Sequence, residues 1–307
     1  MKGCRVTILG CGFSGLAIAH ACRAAGADVL GTRRSAAGLA TLSARGVAAL
    51  PLDGPPDAAL VARLGITTHL ICSVAPARQP PLDDPMLALC RGLAAAGRLP
   101  SLRWIGYLST IGVYGDHGGA RVDEDTPCTS EQPRSIVRRE AELGWTELGA
   151  GIGCSVALLR LSGIYGPGRN AVRDALAGRA RMLIKPGQVF NRIHVQDLAC
   201  AAVLAAEQCI DGVLNITDDE PAPPQDVIRY AHRLIGRDPP PAVDVDTAEI
   251  SPMARSFYRE NKRVDNARSR RRLGLRYAYP DYRTGLAALL DGELADPPGA
   301  DPIAPTA

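Results

Sequence analysis

The chain has 307 residues, 46% of them hydrophobic and 22% charged, which is an ordinary composition for a globular protein with one large domain or two smaller lobes. Its formal net charge of +3 is too small to favour binding to nucleic acid or to an anionic membrane. The N-terminal apolar run stops at Gly10 without a cleavage site, and no apolar stretch reaches the roughly 18–20 residues of a membrane span, so we expect neither a signal peptide nor a transmembrane helix.

Short apolar strands alternate with amphipathic helices along the chain, a pattern that indicates a parallel sheet with crossover helices. In chain order we predict a strand at 5–10, a helix at 14–26, a strand at 28–32, a helix at 36–45, strands at 47–53 and 69–75, a helix at 84–97, a strand at 103–110, a helix around 133–145, a strand at 155–166, a helix at 196–208 and a strand at 212–217. A helix at 224–235 and a basic run at 261–274 are assigned to a smaller C-terminal lobe.

Three glycines follow the first predicted strand in the spacing G-x-G-x-x-G. They are Gly10, Gly12 and Gly15, and Phe13 and Ser14 complete the loop where the first helix begins. In a dinucleotide-binding turn the first glycine makes the bend, the second lets a pyrophosphate approach the backbone, and the third lets the helix pack on the strand. The unpaired N–H groups at the helix start also favour phosphate. The motif therefore predicts an α/β fold with a Rossmann-type, doubly wound parallel sheet that binds a dinucleotide; a glycine-rich turn without a ligand is the alternative.

The end of the second predicted strand carries Thr32, Arg33 and Arg34 and no acidic residue. An NAD site favours Asp or Glu here, whereas arginine binds the additional 2′-phosphate of NADP by charge-assisted hydrogen bonds. We therefore predict that these residues favour NADP(H) over NAD(H), the alternative being that both arginines are solvated. Asp53, which ends the third strand, either approaches the adenine or belongs to a simple turn.

Four further segments follow the glycine loop in a fixed order: "YLSTIGVYGD" at 107–116, "RLSGIYGPGR" at 160–169, "NRIHVQDLA" at 191–199 and "LNITDDEP" at 214–221. Together with the loop they resemble the extended short-chain dehydrogenases/reductases, the superfamily of NAD-dependent sugar-nucleotide epimerases and dehydratases, over nearly the whole chain. The G-x-G-x-x-G spacing departs from the usual G-x-x-G-x-x-G of that superfamily and is similar to its atypical YeeZ-like branch.

This resemblance implies the division of the chain. It predicts an NAD(P)-binding Rossmann domain at 1–165, which residues 193–220 rejoin, and a substrate-binding lobe formed by 166–192 and 221–291. The remaining residues, 292–307, are rich in Pro and Ala without periodicity, so we expect a disordered tail.

The resemblance also implies roles for individual residues. Thr110 takes the place of the active-site Ser/Thr, Tyr165 lines the substrate entrance, and Ala75 and Pro76 pass beneath the cofactor. For Thr110 the alternative is a hydrogen bond to its own backbone at the end of the strand.

His194 and Asp197 have the residue types of an acid–base pair. In the resembling family this segment usually packs against the sheet, and an aspartate there caps the following helix. Both interpretations stay open from the sequence.

The superfamily's catalytic Tyr-x-x-x-Lys is expected about 25 residues beyond Thr110. In that register Arg134 stands at the tyrosine position and Arg138 at the lysine position, while Glu142 matches a glutamate that usually follows. No tyrosine lies between Tyr114 and Tyr165, so no shift of register restores the pair. The resemblance therefore predicts a site that lacks the Tyr-x-x-x-Lys dyad.

Two interpretations of these arginines remain. Arg138 can bind ribose hydroxyls and Arg134 a substrate carboxylate, phosphate or oxyanion, although neither donates a proton because the pKa of arginine is above about 12. Alternatively Arg134, Arg138 and Arg139 form a solvated face that pairs with Glu142 and neighbouring acids.

Three functions are compatible with these patterns. The first is an NADP(H)-dependent oxidoreductase acting on a small, possibly acidic, carbonyl, imine or sugar-type substrate, with Thr110, Tyr114 or Tyr165 relaying a proton. The second is a catalytically silent NAD(P)-binding sensor or scaffold, and the third is a sugar-nucleotide epimerase or dehydratase. We favour the oxidoreductase.

The cysteines and apolar stripes bear on the surroundings of the protein. Nine cysteines are scattered without a C-x-x-C pair, which is typical of core residues in a reducing compartment, so we expect a cytoplasmic protein without a metal site. Two predicted helices carry stripes that suit either a homodimer or internal packing: Leu87, Leu89 and Leu93 on one, and Val137, Ala141 and Trp145 on the other.

Overall fold

The computed structural model of the chain describes residues 1–295. Its strands are β1 Arg5–Leu9, β2 Asp28–Arg33, β3 Ala48–Pro51, β4 His69–Cys72, β5 Trp104–Thr110, β6 Arg121–Val122, β7 Ser155–Leu161, β8 Gly163–Tyr165, β9 Met182–Ile184, β10 Arg192–His194, β11 Gly212–Ile216, β12 Ala242–Asp244 and β13 Arg263–Val264. Its α-helices are α1 Phe13–Ala24, α2 Ala36–Ala44, α3 Ala58–Ile66, α4 Pro85–Ala95, α5 Pro133–Ile152, α6 Ala171–Leu176, α7 Val195–Glu207, α8 Pro224–Leu234, α9 Pro252–Phe257, α10 Ala267–Leu273 and α11 Tyr282–Ala295.

Seven strands form one parallel sheet in the order β11-β7-β5-β4-β1-β2-β3. The strand order reverses between β1 and β4, and ligands of such sheets bind in the crevice at the carboxyl ends of the strands at this point. The predicted Rossmann-type sheet is therefore confirmed, and its crevice lies where the glycine loop leaves β1.

Apolar side chains cover both faces of the sheet, which explains why its central strands are apolar throughout. On one face α1 and α7 pack on residues such as Ile8 and Leu159, and the small residues of α7, among them Ala202, let the helix come close. On the other face α4 and α5 pack around Ile105 and Trp145. Two buried layers thus hold the carboxyl edge of the sheet rigid beneath the candidate site.

The remaining elements form smaller units beside that edge. The short strands pair as β8 with β10, β9 with β12 and β6 with β13, all parallel. Helices α6, α8 and α11 enclose a separate apolar cluster that includes Val172, Val227 and Leu286. This cluster lies next to the cavity described below.

Several element boundaries differ from the predictions. The strand predicted at 155–166 is two strands, β7 and β8, interrupted at Ser162, and helix α3 was not predicted. Residues 292–295 belong to α11, so the prediction of a disordered tail is wrong for them; residues 296–307 of that tail lie outside the described range. None of the helices within residues 1–295 is both long and apolar enough to cross a membrane.

The apolar stripes on α4 and α5 are used inside the protein. Leu87, Leu93, Val137, Ala141 and Trp145 are buried, and Leu89 packs against the same core. The stripes are therefore accounted for by core packing, and a homodimer stays a prediction.

Candidate cofactor and substrate site

The glycine loop turns sharply between β1 and α1. Gly10 has φ of +80°, and a β-carbon there would lie 2.5 Å from Cγ2 of Val74, which follows β4. A β-carbon at Gly15 would lie 3.0 Å from the carbonyl oxygen of Gly10. Both positions therefore require glycine, one for the bend and one for close packing of the helix on the strand.

The N-terminus of α1 is free to bind an anion. Gly12 precedes its first residue, and no side chain caps the helix. The first N–H groups of α1 consequently have no side-chain acceptor, as a pyrophosphate site requires. Phe13 and Ser14, both half-buried, occupy the first turn.

Thr32 supports this loop from below. It is 1% exposed, and its Oγ1 accepts a hydrogen bond from the backbone N–H of Gly10 at 3.0 Å. Its carbonyl oxygen accepts from the N–H of Cys11 at 2.9 Å. Thr32 therefore fixes the shape of the glycine loop. It is buried, whereas Arg33 is half-buried and Arg34 is exposed.

Arg33 lies at the edge of the loop. Its Nη1 is 3.5 Å from the carbonyl oxygen of Cys11 and 3.2 Å from the place that a β-carbon on Gly12 would take. The same side chain passes 2.6 Å from a β-carbon built on Gly38, so two glycines make room for it. Arg34 and Asp53 are exposed, and neither side chain has a hydrogen-bond partner within the described range.

A cavity of about 900 Å³ opens at the carboxyl edge of the sheet. The structure brings the following predicted site residues together around it: Ala75, Pro76, Thr110, Arg134, Arg138 and Tyr165. Phe13 connects the glycine loop to this cavity, because its Cζ lies 3.3 Å from a β-carbon built on Gly166 and its ring lies 5.6 Å from the guanidinium of Arg169. The predicted cofactor loop thus borders the cavity through the contact of Phe13 with Arg169.

Thr110 ends β5 at the rim of the cavity. Its Oγ1 accepts a hydrogen bond from the N–H of Gly112 at 3.1 Å and so caps the short 3₁₀ turn of residues 111–114. This is the backbone bond that the sequence left as an alternative. It engages an oxygen lone pair only, so the hydroxyl hydrogen stays available to a substrate.

The two candidate tyrosines differ in position. Tyr114 does not line the cavity: its hydroxyl donates to Oδ1 of Asn215 at 2.7 Å, its ring lies 4.8 Å from the guanidinium of Arg160, and burial raises the pKa of Tyr114 to about 12. The expectation that Tyr114 relays a proton is therefore wrong. Tyr165 lines the cavity, its hydroxyl makes only a long bond of 3.4 Å to the carbonyl of Asp281, and burial raises the pKa of Tyr165.

Arg134 and Arg138 share the face of α5 that lines the cavity. Arg138 donates from Nη1 to the carbonyl of Leu108 at 2.9 Å, while its buried Nε has no hydrogen-bond partner. Arg134 donates from Nη1 to Oγ of Ser256 at 2.6 Å, and its guanidinium lies 4.5 Å from the ring of Phe257. Desolvation lowers the pKa of Arg134 from its usual value. The Nε of Arg138 is therefore a buried donor without an acceptor beside the cavity.

The alternative of a solvated arginine face does not agree with the structure. Glu142 is 3% exposed and forms a bidentate ion pair with Arg160 at 3.1 and 2.8 Å, and it also accepts from Oγ of Ser109 at 2.5 Å. Within the described range the α5 arginines at 134, 138 and 139 make no ion pair. Arg139 instead donates to the carbonyl of Cys128 at 2.8 Å, away from the cavity.

His194 and Asp197 serve the structure. His194 is 1% exposed, its Nδ1 accepts from the N–H of Gln196 at 3.2 Å to cap α7, and burial lowers the pKa of His194 to about 4. Asp197 accepts from the N–H groups of Ala278 and Tyr279 at 2.9 and 2.8 Å. The residue that caps α7 is therefore the histidine, and the aspartate holds a distant segment.

The sequence did not single out several cavity residues. Lys262 is 6% exposed and donates to the carbonyl of Gly115 at 2.6 Å and to Oε2 of Glu260 at 2.9 Å; Glu260 in turn accepts from Ser130 at 2.7 Å. Arg192 also lines the cavity. In the sequence Lys262 is only part of a basic run. Its contact with Gly115 joins residues 147 positions apart, so no local pattern could reveal it.

Comparisons with known proteins agree with this geometry. No family model matches the chain. A functionally unknown conserved protein from Silicibacter pomeroyi DSS is 43% identical, with a TM-score of 0.85 over 94% of this chain and 98% of that one. Protein YeeZ of Escherichia coli K12 is 29% identical over 90% of this chain and 97% of its own length. A 3-diazoavenalumate denitrifying reductase from a Streptomyces species is 31% identical, but the match spans only 54% of this chain and 58% of that reductase.

More distant solved structures share the fold alone. A UDP-glucose 4-epimerase from Thermus thermophilus, in complex with NAD, is 22% identical and superposes with a TM-score of 0.76 over 97% of this chain and 100% of that one. The fold of the chain is thus the one that NAD-dependent sugar-nucleotide epimerases of the extended short-chain dehydrogenase/reductase type share. The chain is also similar to Protein YeeZ over most of its length, in agreement with the resemblance found in the sequence.

Proposed function

We propose that the protein is an NADP(H)-dependent oxidoreductase that acts on a small substrate in the cavity beside Thr110. The observation that carries the proposal is the position of the Arg33 guanidinium at the mouth of the glycine loop, 3.2 Å from where a β-carbon on Gly12 would be. A charge at this point suits the 2′-phosphate of NADP and meets no competing carboxylate on the carboxyl end of β2.

The residues present fit a dinucleotide. The space that a side chain at Gly12 would fill, together with the uncapped start of α1, suits the pyrophosphate. Ala75 and Pro76 would pass beneath the nicotinamide, and Arg138 would donate its unpaired Nε to a ribose hydroxyl. A bound nicotinamide supplies or accepts the hydride, which is the part of the chemistry that belongs to the cofactor.

The protein's own groups favour substrates that require little proton transfer. Arg134 and Arg138 stand where the family has its tyrosine and lysine, and a guanidinium does not serve as a proton donor at neutral pH. Both can stabilise negative charge, and Thr110 keeps one hydroxyl hydrogen to donate. Protonated imines, activated alkenes and similar electrophiles suit such a site. The related Streptomyces protein is named as a reductase of a diazo compound, which supports this choice.

The proposal is tested by calorimetric titration with NADPH and NADH. We expect NADPH to bind more tightly, and Arg33→Ala to weaken NADPH by about 10- to 100-fold, since a charge-assisted hydrogen bond contributes roughly 1.5–3 kcal/mol. NADH affinity should change little in the same variant. Arg45→Ala, at an exposed arginine after α2, is the matched control and should leave both affinities unchanged. Equal binding of the two nucleotides in the wild type, or binding of neither, would contradict the proposal.

A second candidate is a silent NADP(H)-binding sensor. The replacement of a phenol and an amine by Arg134 and Arg138 favours it, because it removes the usual proton donor of the family. The two candidates are separated by mixing the NADPH complex with a panel of carbonyl, imine, alkene and diazo acids and following nicotinamide absorbance. Turnover of any member supports the oxidoreductase. Tight NADPH binding without turnover of any member favours the sensor.

A further inference from the structure

The cavity wall includes a half-buried guanidinium that forms no ion pair within the described residues. It belongs to Arg192, whose Nη1 donates to the carbonyls of Phe190 and Ala222 at 2.9 and 3.1 Å. Neither Nε nor Nη2 of Arg192 has a hydrogen-bond partner within residues 1–295, and no carboxylate there lies within 4.0 Å of it. Desolvation lowers the pKa of Arg192, and Asp218 offsets only part of this shift.

Asp218 is the acidic residue that raises the pKa of Arg192, but it forms no ion pair with Arg192 within the described residues. Asp218 is 1% exposed, its Oδ1 accepts from the N–H of Glu220 at 3.3 Å, and its Oδ2 has no partner. Burial raises the pKa of Asp218 to about 8, while the nearby Arg192 lowers it. The Nε and Nη2 groups of Arg192 keep no acceptor of their own and suit a ligand of opposite charge.

Two phenols line the same cavity as the Arg192 guanidinium. They belong to Tyr258 and Tyr282, and both contribute to the electrostatic surroundings of Arg192. Neither hydroxyl has a hydrogen-bond partner in the described structure, although Tyr282 is only 3% exposed. The two phenols and the Nε and Nη2 groups of Arg192 are thus donors of cavity-lining residues that have no acceptor.

The surroundings of these donors are apolar. The ring of Phe190 packs edge-on against Tyr258 with 5.2 Å between ring centres, and Val227, Ile228 and Leu286 complete this part of the wall. A carboxylate attached to an apolar body matches a guanidinium with unused donors, two phenols and an apolar wall.

We infer that Arg192, Tyr258 and Tyr282 bind the carboxylate of an organic acid, whose apolar body extends along Phe190 toward Thr110. The inference rests on the proposed function for the identity of this organic acid as the substrate. The carboxylate end of the substrate would lie in the lobe, and its reacting end would lie at the carboxyl edge of the sheet. Arg192 would therefore select acids over the neutral analogues of the same shape.

The test compares an acid with its uncharged analogue. We would titrate the full-length protein with 3-phenylpropanoate and with 3-phenylpropanamide by calorimetry, and add UDP-glucose and inorganic phosphate as competitors. The acid should bind at least about 10-fold more tightly than the amide, and Arg192→Gln should remove that difference. Tyr258→Phe and Tyr282→Phe, which keep the rings, should each weaken the acid several-fold and the amide to a smaller extent, because a hydrogen bond to a carboxylate is stronger than one to a neutral carbonyl. Arg259→Gln, at an exposed arginine outside this cavity, should change nothing.

The outcomes separate this inference from the proposed function. Equal affinity for acid and amide, or acid binding that is indifferent to all three variants, overturns the inference even if NADPH binds. Displacement of the acid by UDP-glucose or inorganic phosphate in an Arg192-dependent way also overturns it. Acid binding that depends on Arg192 in a protein that binds no NADPH supports the inference and refutes the proposed function. If Arg192→Gln fails to fold, because its Nη1 holds two carbonyls, the two tyrosine variants decide the question.

Discussion

The ion pair beneath the cavity gives a strong prediction about stability. Glu142 and Arg160 have side chains that are 4% and 7% exposed and meet through two hydrogen bonds of 2.8 and 3.1 Å. Glu142→Ala would leave the Arg160 charge buried without a partner and the Ser109 hydroxyl without its acceptor. Removal of one member of such a pair costs about 3–5 kcal/mol in the free energy of unfolding.

The matched experiment removes both charges. In Glu142→Leu/Arg160→Met no unpaired charge remains, so most of the lost stability should return, since buried pairs and apolar replacements of similar volume are nearly equivalent. Urea unfolding followed by circular dichroism gives the free energy of unfolding of the wild type and of each variant. The values can be compared if the free energy depends equally steeply on urea concentration in all of them. A loss below about 1 kcal/mol for Glu142→Ala would show that the pair behaves as a solvated one, and α5 would then not be anchored to β7 by a buried charge pair.

Two further predictions concern the loop and the α7 cap. Gly10→Ala should abolish measurable NADPH binding in a titration, because a β-carbon at this position meets Val74 at 2.5 Å. The control is Gly54→Ala, where φ is +92° but the space is open; it should lower stability by about 1–2 kcal/mol and keep binding. Equal binding of NADPH by both variants would refute the argument from the contact with Val74. The pKa of His194 is lowered by burial to about 4, so the unfolded chain binds a proton first as the pH falls. Relative to His194→Asn, the wild type should therefore lose up to about 3 kcal/mol of stability between about pH 6.5 and pH 4, measured by urea unfolding; a constant difference across that range would show that His194 is solvated.

Features that depend on neighbours in sequence were predictable. Each of three predictions depends on one short segment: the spacing of the glycines, the position of Arg33 at the end of β2, and the spacing of Arg134 and Arg138. Helical periodicity alone places these two α5 arginines on one face. The same spacing argument separates Arg139 from them, and the structure turns it toward Cys128.

Features that depend on distant contacts were not predictable. Arg192 appeared only as one letter of a motif, and nothing in its neighbourhood reveals that its guanidinium faces the same cavity as Tyr282. The break between β7 and β8 depends on Ser162, whose N–H and hydroxyl both donate to the carbonyl of Ile216. Helix α3 has a readable cap, since Asp57 accepts from the N–H of Leu60 at 2.8 Å, but its nine residues after a Gly-Pro-Pro turn are too short for periodicity to stand out.

The cavity wall is formed by residues from many separate parts of the chain, whereas the glycine loop and its supports come from one short part. The glycine turn, its threonine support and Arg33 all come from residues 8–38, but the wall runs from Ala75 to Leu286. A single exchange at Phe190, Ile228 or Tyr258 would reshape the wall without touching any atom of the loop. Under the proposed function, the substrate range of such a protein can therefore diverge by small independent steps while the glycine loop stays unchanged.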